Sequence, residues 1–270
     1  MPVIVNSQLQ LGKTTEYRLS IQADLNGFSF SIVDDKQHKP LYVYASDFSM
    51  DRDDMALFSK RCSEVLKNTP VLRGNFRKVE IIYGTEKYSL IPASLHESGN
   101  ELKELSALHK LDDLDEINVA EVKREGMKIL FAVNSTFLNI IKEYQPQFDI
   151  FPSVYPFIKF LPYFSEHNKI LFHYIKGAVN IVAAEGNRVI FCNTFPVIHF
   201  NSALYFLLLA LKETQFNSEL TTVYVGGNIK DLEIFDISKY FSSVKYFRNP
   251  STPLPDQFSE MKYSSMMFDL

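Results

Sequence analysis

Tryptophan is absent from this sequence of 270 residues, and cysteine occurs only twice, as Cys62 and Cys192. Two cysteines are too few for a disulfide framework, and no CxxC spacing occurs. The pattern places Cys62 on a helix and Cys192 on a distant strand. We therefore expect both to be buried structural thiols.

Long apolar runs are also absent. The longest, residues 203–211, has nine residues, whereas a membrane span needs about 20. The first residues lack a basic stretch followed by an apolar one, so they do not resemble a signal peptide. The sequence predicts a cytoplasmic protein without an integral membrane segment.

No block of lysine and arginine stands out. The chain has 28 basic and 32 acidic residues and a formal net charge of −4. Binding to nucleic acid needs a basic patch, so nucleic acid is not a predicted partner.

Aromatic residues are plentiful, with 23 Phe and 14 Tyr. The surface area of so many aromatic side chains is enough to build a large core without disulfides or metal. At about 150 residues per domain, the length favours two lobes.

The first half begins with a loose leader, residues 1–16. Alternation and turn residues then predict a three-stranded meander, in which Phe28, Phe30 and Ile32 form the buried side of a half-buried strand. Asp51 is the predicted N-cap of the following helix, with Asp54 at its third position. The predicted elements are strands 17–23, 28–33, 41–45, 78–83 and 87–91 and helix 51–67.

A polar segment near 93–126 follows, and it is predicted to be a small insertion in the first lobe. Its acidic run at 112–116 is expected to be a solvated loop. The predicted elements from here to the second half are helix 102–109, hairpin strands 117–122 and 128–133, a helix ending at 144, strand 148–154 and a short helix from Pro156.

From residue 169 the first pattern returns. Helix 202–215, capped by Asn201, is apolar nearly all round and is expected to be buried on both sides. The predicted elements are strands 170–174, 178–183, 189–195, 222–225 and 244–247 and helices 202–215 and 230–240.

The two halves share one order: a three-stranded meander, a helix, and a strand that ends in glycine. A meander followed by a helical crossover to a parallel strand gives a mixed sheet. The predicted fold class is therefore α/β with mixed sheets, built from two duplicated lobes. Residues 1–165 form the first lobe, 166–250 the second, and 251–270 a tail.

This order resembles the actin/Hsp70/sugar-kinase superfamily, whose two ribonuclease H-like lobes hold ATP between them. The chain is more narrowly similar to a bacterial domain-of-unknown-function family, number 3822. The residues that carry this resemblance are Leu19-Ser20-Ile21, Gly27-Phe28-Ser29-Phe30-Ser31-Ile32, Cys192-Asn193-Thr194-Phe195 and Val223-Tyr224-Val225-Gly226-Gly227.

The resemblance implies an Asp-x-Gly turn between the first two strands of each lobe, which holds Mg²⁺ and the phosphates in active members. Here Asp24 and Gly27 are one residue too far apart. The second turn, 174–177, contains no carboxylate. Gly226-Gly227 matches an adenosine-contacting pair, although the pattern favours glycines that end a strand and let a helix start. These four residues are the predicted vestigial nucleotide site, with no catalytic residue and no metal ligand.

Other motifs point more weakly to function. Gly12-Lys13-Thr14 imitates the end of a P-loop, but a strand follows it rather than a helix. The histidines show no metal spacing, and His173 and His199 are expected to be satisfied core or edge groups. The acidic cluster at 51–54 is interpreted as the start of a helix rather than as a metal site.

The tail carries Phe258, Met266, Met267, Phe268 and Leu270. In cell-division relatives such a tail binds membrane, but here acidic residues outnumber the single Lys262. We expect the tail to dock on the protein itself or on a partner.

Two functions remain open at this point. The first is a non-catalytic interaction module with a degenerate ATPase fold and no cofactor, which binds another protein or itself. The alternative is a divergent ATP-binding enzyme that uses Asp24, Mg²⁺ and Gly226-Gly227.

Overall fold

A computed structural model describes residues 2–5, 9–25, 27–48, 54–175, 177–249, 251–252 and 264–270. The chain forms two compact units, Met1–Ser153 and Val154–Leu270. The boundary lies before α4 (Tyr155–Lys159), whereas the sequence analysis placed it at 165/166. Phe157 of this helix packs against His173 and Phe247, with ring centroids 5.0 and 4.8 Å apart. This packing assigns the helix to the second unit.

The first unit contains a six-stranded mixed sheet with the order β1-β4-β3-β2-β5-β9. The central strand β2 pairs antiparallel with β3 and parallel with β5. The strands are β1 (Pro2–Val5), β2 (Arg18–Asp24), β3 (Gly27–Asp34), β4 (Lys39–Asp47), β5 (Lys78–Tyr83) and β9 (Asp149–Pro152).

The N-terminal segment differs from the prediction of a loose leader. Residues 2–5 pair antiparallel with β4, and residues 11–16 form a 3-10 turn in which Thr14 is buried. β3 is also more enclosed than its alternation indicated, because Ser31 is as completely buried as Phe30. The prediction of a half-buried strand is therefore wrong for this part of β3.

The helices α1 (Met55–Lys67) and α3 (Ser135–Lys142) contact each other beside the sheet, where Phe58 stacks on Phe137 at 5.6 Å. Asp54 caps α1, because its Oδ1 accepts a hydrogen bond of 2.8 Å from the Leu57 amide. The predicted cap Asp51 lies outside the described residues. The helix begins later than predicted.

The predicted insertion forms its own three-stranded antiparallel sheet, ordered β6-β8-β7. The elements are β6 (Tyr88–Pro92), α2 (Glu101–Ser106), β7 (Asp115–Val122) and β8 (Met127–Asn134). The expected acidic loop is in part a strand, since β7 starts at Asp115. Lys87 Nζ lies 2.6 Å from both Asp112 and Asp115, so this cation offsets the acidic run.

The second unit contains a five-stranded sheet with the order β12-β11-β10-β13-β14. The central strand β10 again pairs antiparallel with β11 and parallel with β13. The elements are β10 (Asn168–Ile175), β11 (Gly177–Glu185), β12 (Arg188–Val197), α5 (Phe200–Glu213), β13 (Thr222–Gly227), α6 (Asp231–Ser238) and β14 (Ser243–Tyr246).

Helix α5 covers one face of this sheet. Ala203, Leu207 and Ala210 are fully buried there, whereas Tyr205 is 61% exposed. The prediction that α5 is buried on both sides is therefore wrong, because the sheet covers only one side of the helix. The helix also starts at Phe200, so the predicted cap Asn201 lies inside it and His199 holds the cap position.

The other face of the sheet is covered by two segments from opposite ends of the unit. Residues 155–164 supply Phe157, Phe160 and Phe164. The last described segment supplies Phe268, whose ring lies 4.1 Å from that of Phe160. The Asn249 amide also donates to the Met267 carbonyl at 3.0 Å. The end of the tail thus docks on the protein itself, while Phe258 and Lys262 lie outside the described residues.

Five strands of each sheet correspond in order and direction. β4-β3-β2-β5-β9 in the first unit matches β12-β11-β10-β13-β14 in the second, with two antiparallel pairings followed by two parallel ones. Paired positions in these five strands can therefore be compared between the two sheets, whereas β1 has no counterpart among the described strands of the second sheet.

A buried ionic network joins β2 to β5. Arg18 and Glu80 are both fully buried, and Arg18 Nη1 lies 3.2 Å from Glu80 Oε2. Lys78 contacts the other Glu80 oxygen at 2.6 Å, and Asp35 lies 3.1 Å from Arg18 Nη2. Removing one partner from a buried ion pair leaves the other charge desolvated and uncompensated.

We predict that Glu80→Gln lowers the free energy of unfolding by about 3 kcal/mol, because Arg18 keeps its charge in a buried site. Glu64→Gln is the control, since Glu64 is half-exposed and pairs with Arg61 only at 3.8 Å; its cost should be under about 1 kcal/mol. Chemical denaturation of both variants checks this. Equal costs would contradict the assigned role of the network.

Candidate functional site

The first predicted turn connects β2 to β3. Asp24 ends β2, half-buried, and lies directly opposite Gly27 in the ladder, so a two-residue loop separates them. Asn26 of this loop lies outside the described residues. The Gly84 amide donates to the Ala23 carbonyl at 2.8 Å, and a Cβ on Gly84 would lie 2.4 Å from the Asp24 Cβ. Gly84 thus lets the end of β5 pass close to the base of the turn.

The Asp24 carboxylate contributes to a raised pKa in two buried groups behind the turn. Burial raises the pKa of the Cys62 thiol, and the Asp24 charge raises it further. Burial likewise raises the pKa of Tyr83, with smaller contributions that include Asp24. Both groups therefore stay protonated near neutral pH, so Cys62 is not a nucleophile there.

The second predicted turn connects β10 to β11. Ile175 lies directly opposite Ala178, as Asp24 lies opposite Gly27. In the parallel ladder of each sheet, Tyr174 lies opposite Gly227 as Ala23 lies opposite Tyr83. Both ladders assign Ile175 to the position that Asp24 holds in the first unit. An apolar side chain therefore stands where the second carboxylate would be.

Gly226 and Gly227 form the end of β13, and both are buried. Gly227 has φ +90°, and a Cβ on it would lie 2.0 Å from the Tyr174 carbonyl oxygen. The next amide, Asn228, donates to that same carbonyl at 2.7 Å. Gly227 is thus required by the contact between two strands of the sheet.

The four predicted residues fall into two local groups. Asp24 and Gly27 pair across the turn of the first unit, and Gly226 and Gly227 end a strand of the second. Among the residues that the structure describes, no group of three or more His, Cys, Asp or Glu side chains could hold a metal ion. In the same residues, no helix has the length and apolar character needed to cross a membrane.

A polar row that the sequence analysis did not identify crosses the second sheet beside Gly226. His173 lies opposite Gly226 in the parallel ladder and opposite Asn180 in the antiparallel one. Its Nδ1 lies 3.4 Å from the Asn180 amide nitrogen, and Thr194 donates to Asn180 Oδ1 at 2.7 Å. Alternation along three strands is the signal that could have revealed this row.

The His173 ring is only partly satisfied, whereas the sequence analysis expected a satisfied group. The residue is 3% exposed, and Nε2 finds no hydrogen-bond partner in the described part of the chain. Phe157 covers the ring at 5.0 Å. Burial lowers the pKa of His173 to about 4, so the imidazole is neutral in the folded protein at neutral pH.

We predict that His173 makes the protein acid-sensitive. The unfolded chain takes up the proton near its ordinary pKa of about 6.5, while the folded chain stays neutral until about pH 4. Its contribution to stability is therefore complete above pH 6.5 and declines by about 3 kcal/mol as the pH falls to 4. Chemical denaturation of the wild type and of His173→Gln at several pH values checks this. The variant should lack the loss of unfolding free energy that His173 causes between pH 6.5 and 4.

We also predict that Gly227→Ala destabilises the protein far more than Gly99→Ala. Both glycines have φ near +90°, but a Cβ on Gly99 meets nothing within 4 Å, whereas one on Gly227 meets a backbone carbonyl. Backbone strain alone costs about 1–3 kcal/mol, so the difference between the variants measures the contact with Tyr174. Thermal and chemical denaturation give both values; similar losses would show that this contact is unimportant.

Comparison with protein families finds one model that matches residues 6–249, described as "Protein of unknown function (DUF3822)". No curated protein matches the sequence. The fold has clear counterparts among solved structures. A Bacteroides thetaiotaomicron VPI-5482 protein with an actin-like ATPase fold and unknown function is 18% identical, with a TM-score of 0.78 over 97% of this chain and 99% of that one.

Two further structures are similar over nearly their whole length. One is the PilM-PilN type IV pilus biogenesis complex, at 10% identity and a TM-score of 0.56 over 94% of this chain and 97% of the other. The second is the ethanolamine utilization protein EutJ from Carboxydothermus hydrogenoformans, at 10% identity and a TM-score of 0.50 over 98% and 93%. At these identities the likeness establishes the actin-like ATPase fold and the predicted mixed α/β class.

Proposed function

The chain belongs to the DUF3822 family, and we propose that it is a non-catalytic protein-binding module built on an actin-like ATPase fold. It would need neither nucleotide nor metal for this role. We further infer that its two units arose by internal duplication, because five strands correspond in order, direction and register.

The observation that carries the proposal is Ile175. Phosphoryl transfer depends on metal ions and charged groups placed around the phosphates, with little other chemistry for the protein to supply. In the second unit an apolar side chain occupies the position of Asp24, and the turn from 174 to 177 contains no acidic residue. A single remaining carboxylate cannot reproduce a pair of acidic turns.

Gly227 has a structural explanation that does not require a nucleotide. Gly227 lets β13 approach the Tyr174 carbonyl, where a side chain would collide. A structural cause therefore accounts for Gly227 of the adenosine-contacting pair, without a bound nucleotide.

Binding to a protein is supported by the surface and by one structural relative. Ile198, Leu220 and Leu232 are each more than 70% exposed, and Leu232 and Phe235 share one side of α6. The related PilM structure is a complex with PilN. An actin-like fold of this size is thus able to work through a protein partner.

A divergent ATP-binding enzyme is the second candidate, and Asp24 is the observation that favours it. This carboxylate lies at the end of β2, beside a hairpin loop. In this candidate Asp24 would hold Mg²⁺ and Gly226-Gly227 would contact the adenosine, with a second acidic group supplied from elsewhere.

We predict that millimolar Mg-ATP produces no heat of binding and no shift in melting temperature. Calorimetric titration and thermal melting of the wild type and of Asp24→Asn measure this, and the two proteins should behave alike. A micromolar dissociation constant that is lost in Asp24→Asn would overturn the non-catalytic proposal and establish the enzyme candidate.

A further inference from the structure

Segment 264–270 lies in a groove of the second unit, on the face of the sheet that α5 does not cover. Its exposed residue is Asp269, and its buried apolar side chains are those of Met266, Met267, Phe268 and Leu270. The segment contributes no strand, because in the described part of the chain residues 168–246 make all pairings of this sheet. The groove therefore belongs to a sheet whose strands pair without the segment.

Three aromatic rings form the pocket that receives Phe268. The ring centroid of Phe268 lies 4.1 Å from that of Phe160 and 5.2 Å from that of Phe247. Tyr163 meets it edge-on at 6.2 Å. Contacts outside the segment also hold these rings, since Phe160 packs on Tyr163 at 5.1 Å and Phe247 packs on Phe164 at 5.6 Å. The pocket therefore keeps its walls when Phe268 leaves it.

Two polar side chains of the groove bind the backbone of the segment. Asn249 donates to the Met267 carbonyl at 3.0 Å, and the Lys159 ammonium donates to the Asp269 carbonyl at 3.2 Å. Lys159 also lies over the ring of Phe160 at 5.6 Å, a cation–π distance that favours its place at the rim. Because every residue has a carbonyl, these donors suit any peptide backbone, and the aromatic pocket selects the side chain.

We propose that this groove is a partner-binding site and that segment 264–270 is an intramolecular ligand, which a peptide of the partner displaces. The partner peptide is short and apolar and places a phenylalanine in the aromatic pocket, because this is the chemistry that the groove already holds. Until then the segment covers an apolar surface that would otherwise be exposed. Residues 253–263 join it to the rest of the chain, and a stretch of that length can span roughly 36 Å, so the segment can leave while the sheet stays folded.

This inference rests on the proposed function, because it takes the ligand to be a protein, but the two can fail separately. Binding of Mg-ATP through Asp24 together with peptide binding in the groove would contradict the non-catalytic proposal alone. A chain that bound neither Mg-ATP nor the peptide would contradict the groove alone.

The first test titrates the full chain into a fluorescent peptide with the sequence of residues 264–270 and follows the anisotropy. In the wild type the chain's own segment competes at a high effective concentration, so the apparent affinity is reduced to the fraction of open grooves. Phe268→Ala weakens this competitor, and its apparent dissociation constant for the peptide should be about tenfold or more below that of the wild type. A peptide with alanine in place of the phenylalanine should bind neither protein.

The groove itself is tested by Lys159→Ala, made in the Phe268→Ala chain. It removes a donor to the peptide backbone and should weaken peptide binding about fivefold. Lys239→Ala is the matched control, because Lys239 also lies over a phenylalanine ring, at 5.0 Å, but on α6, which packs on the other face of the sheet. It should leave the dissociation constant unchanged. A folded Phe268→Ala chain that does not bind the peptide, or that binds it as the wild type does, would overturn the proposal.

The second test detects opening of the groove without a peptide. Met267→Cys introduces a thiol in the segment, and Leu207→Cys introduces one on α5, at an equally buried position on the other face of the sheet. A buried thiol reacts with a maleimide only when the structure around it opens, and mass spectrometry identifies which thiol has reacted. The thiol at 267 should react about a hundredfold faster, because the segment opens locally. Equal rates would show that the segment leaves only when the unit unfolds, and the proposal would be wrong.

Discussion

Each unit depends on one central strand that is paired on both sides, antiparallel with its hairpin partner and parallel with the strand that follows the helix. β2 and β10 hold this position in the two sheets. The pairing brings the end of the central strand, the hairpin turn and the end of the parallel strand to one place. The close backbone contacts at Gly84 and Gly227 follow from this geometry, whatever the turn beside them binds.

The order of most elements along the chain and the fold class could be predicted from the sequence because alternation, turn residues and glycine act locally. The errors arose where neighbours distant in the chain decide the outcome. Ser31 is buried because both faces of β3 are covered, and Tyr205 is exposed because a sheet lies on only one side of α5. Periodicity describes one element and carries no information about the number of layers packed against it.

The candidate site was also predictable only where its signal is local in the sequence. The sequence identified the missing carboxylate near 174–177, but only the ladders assign its place to Ile175. The polar row through His173 was missed because its members come from three strands. The sequence pattern at Gly227 already favoured a strand end over a ligand contact, and the Tyr174 carbonyl that lies against it supplies the physical reason.

The aromatic cover of the second sheet also constrains the order of events during synthesis. Phe157 and Phe160 emerge before the sheet exists, whereas Phe247 and Phe268 emerge after it. The part of this cover that Phe268 supplies is therefore missing until residue 268 has left the ribosome. Translation that stalls shortly before this point leaves Phe160 and Phe247 without the ring of Phe268, an exposed apolar surface of the kind that chaperones bind.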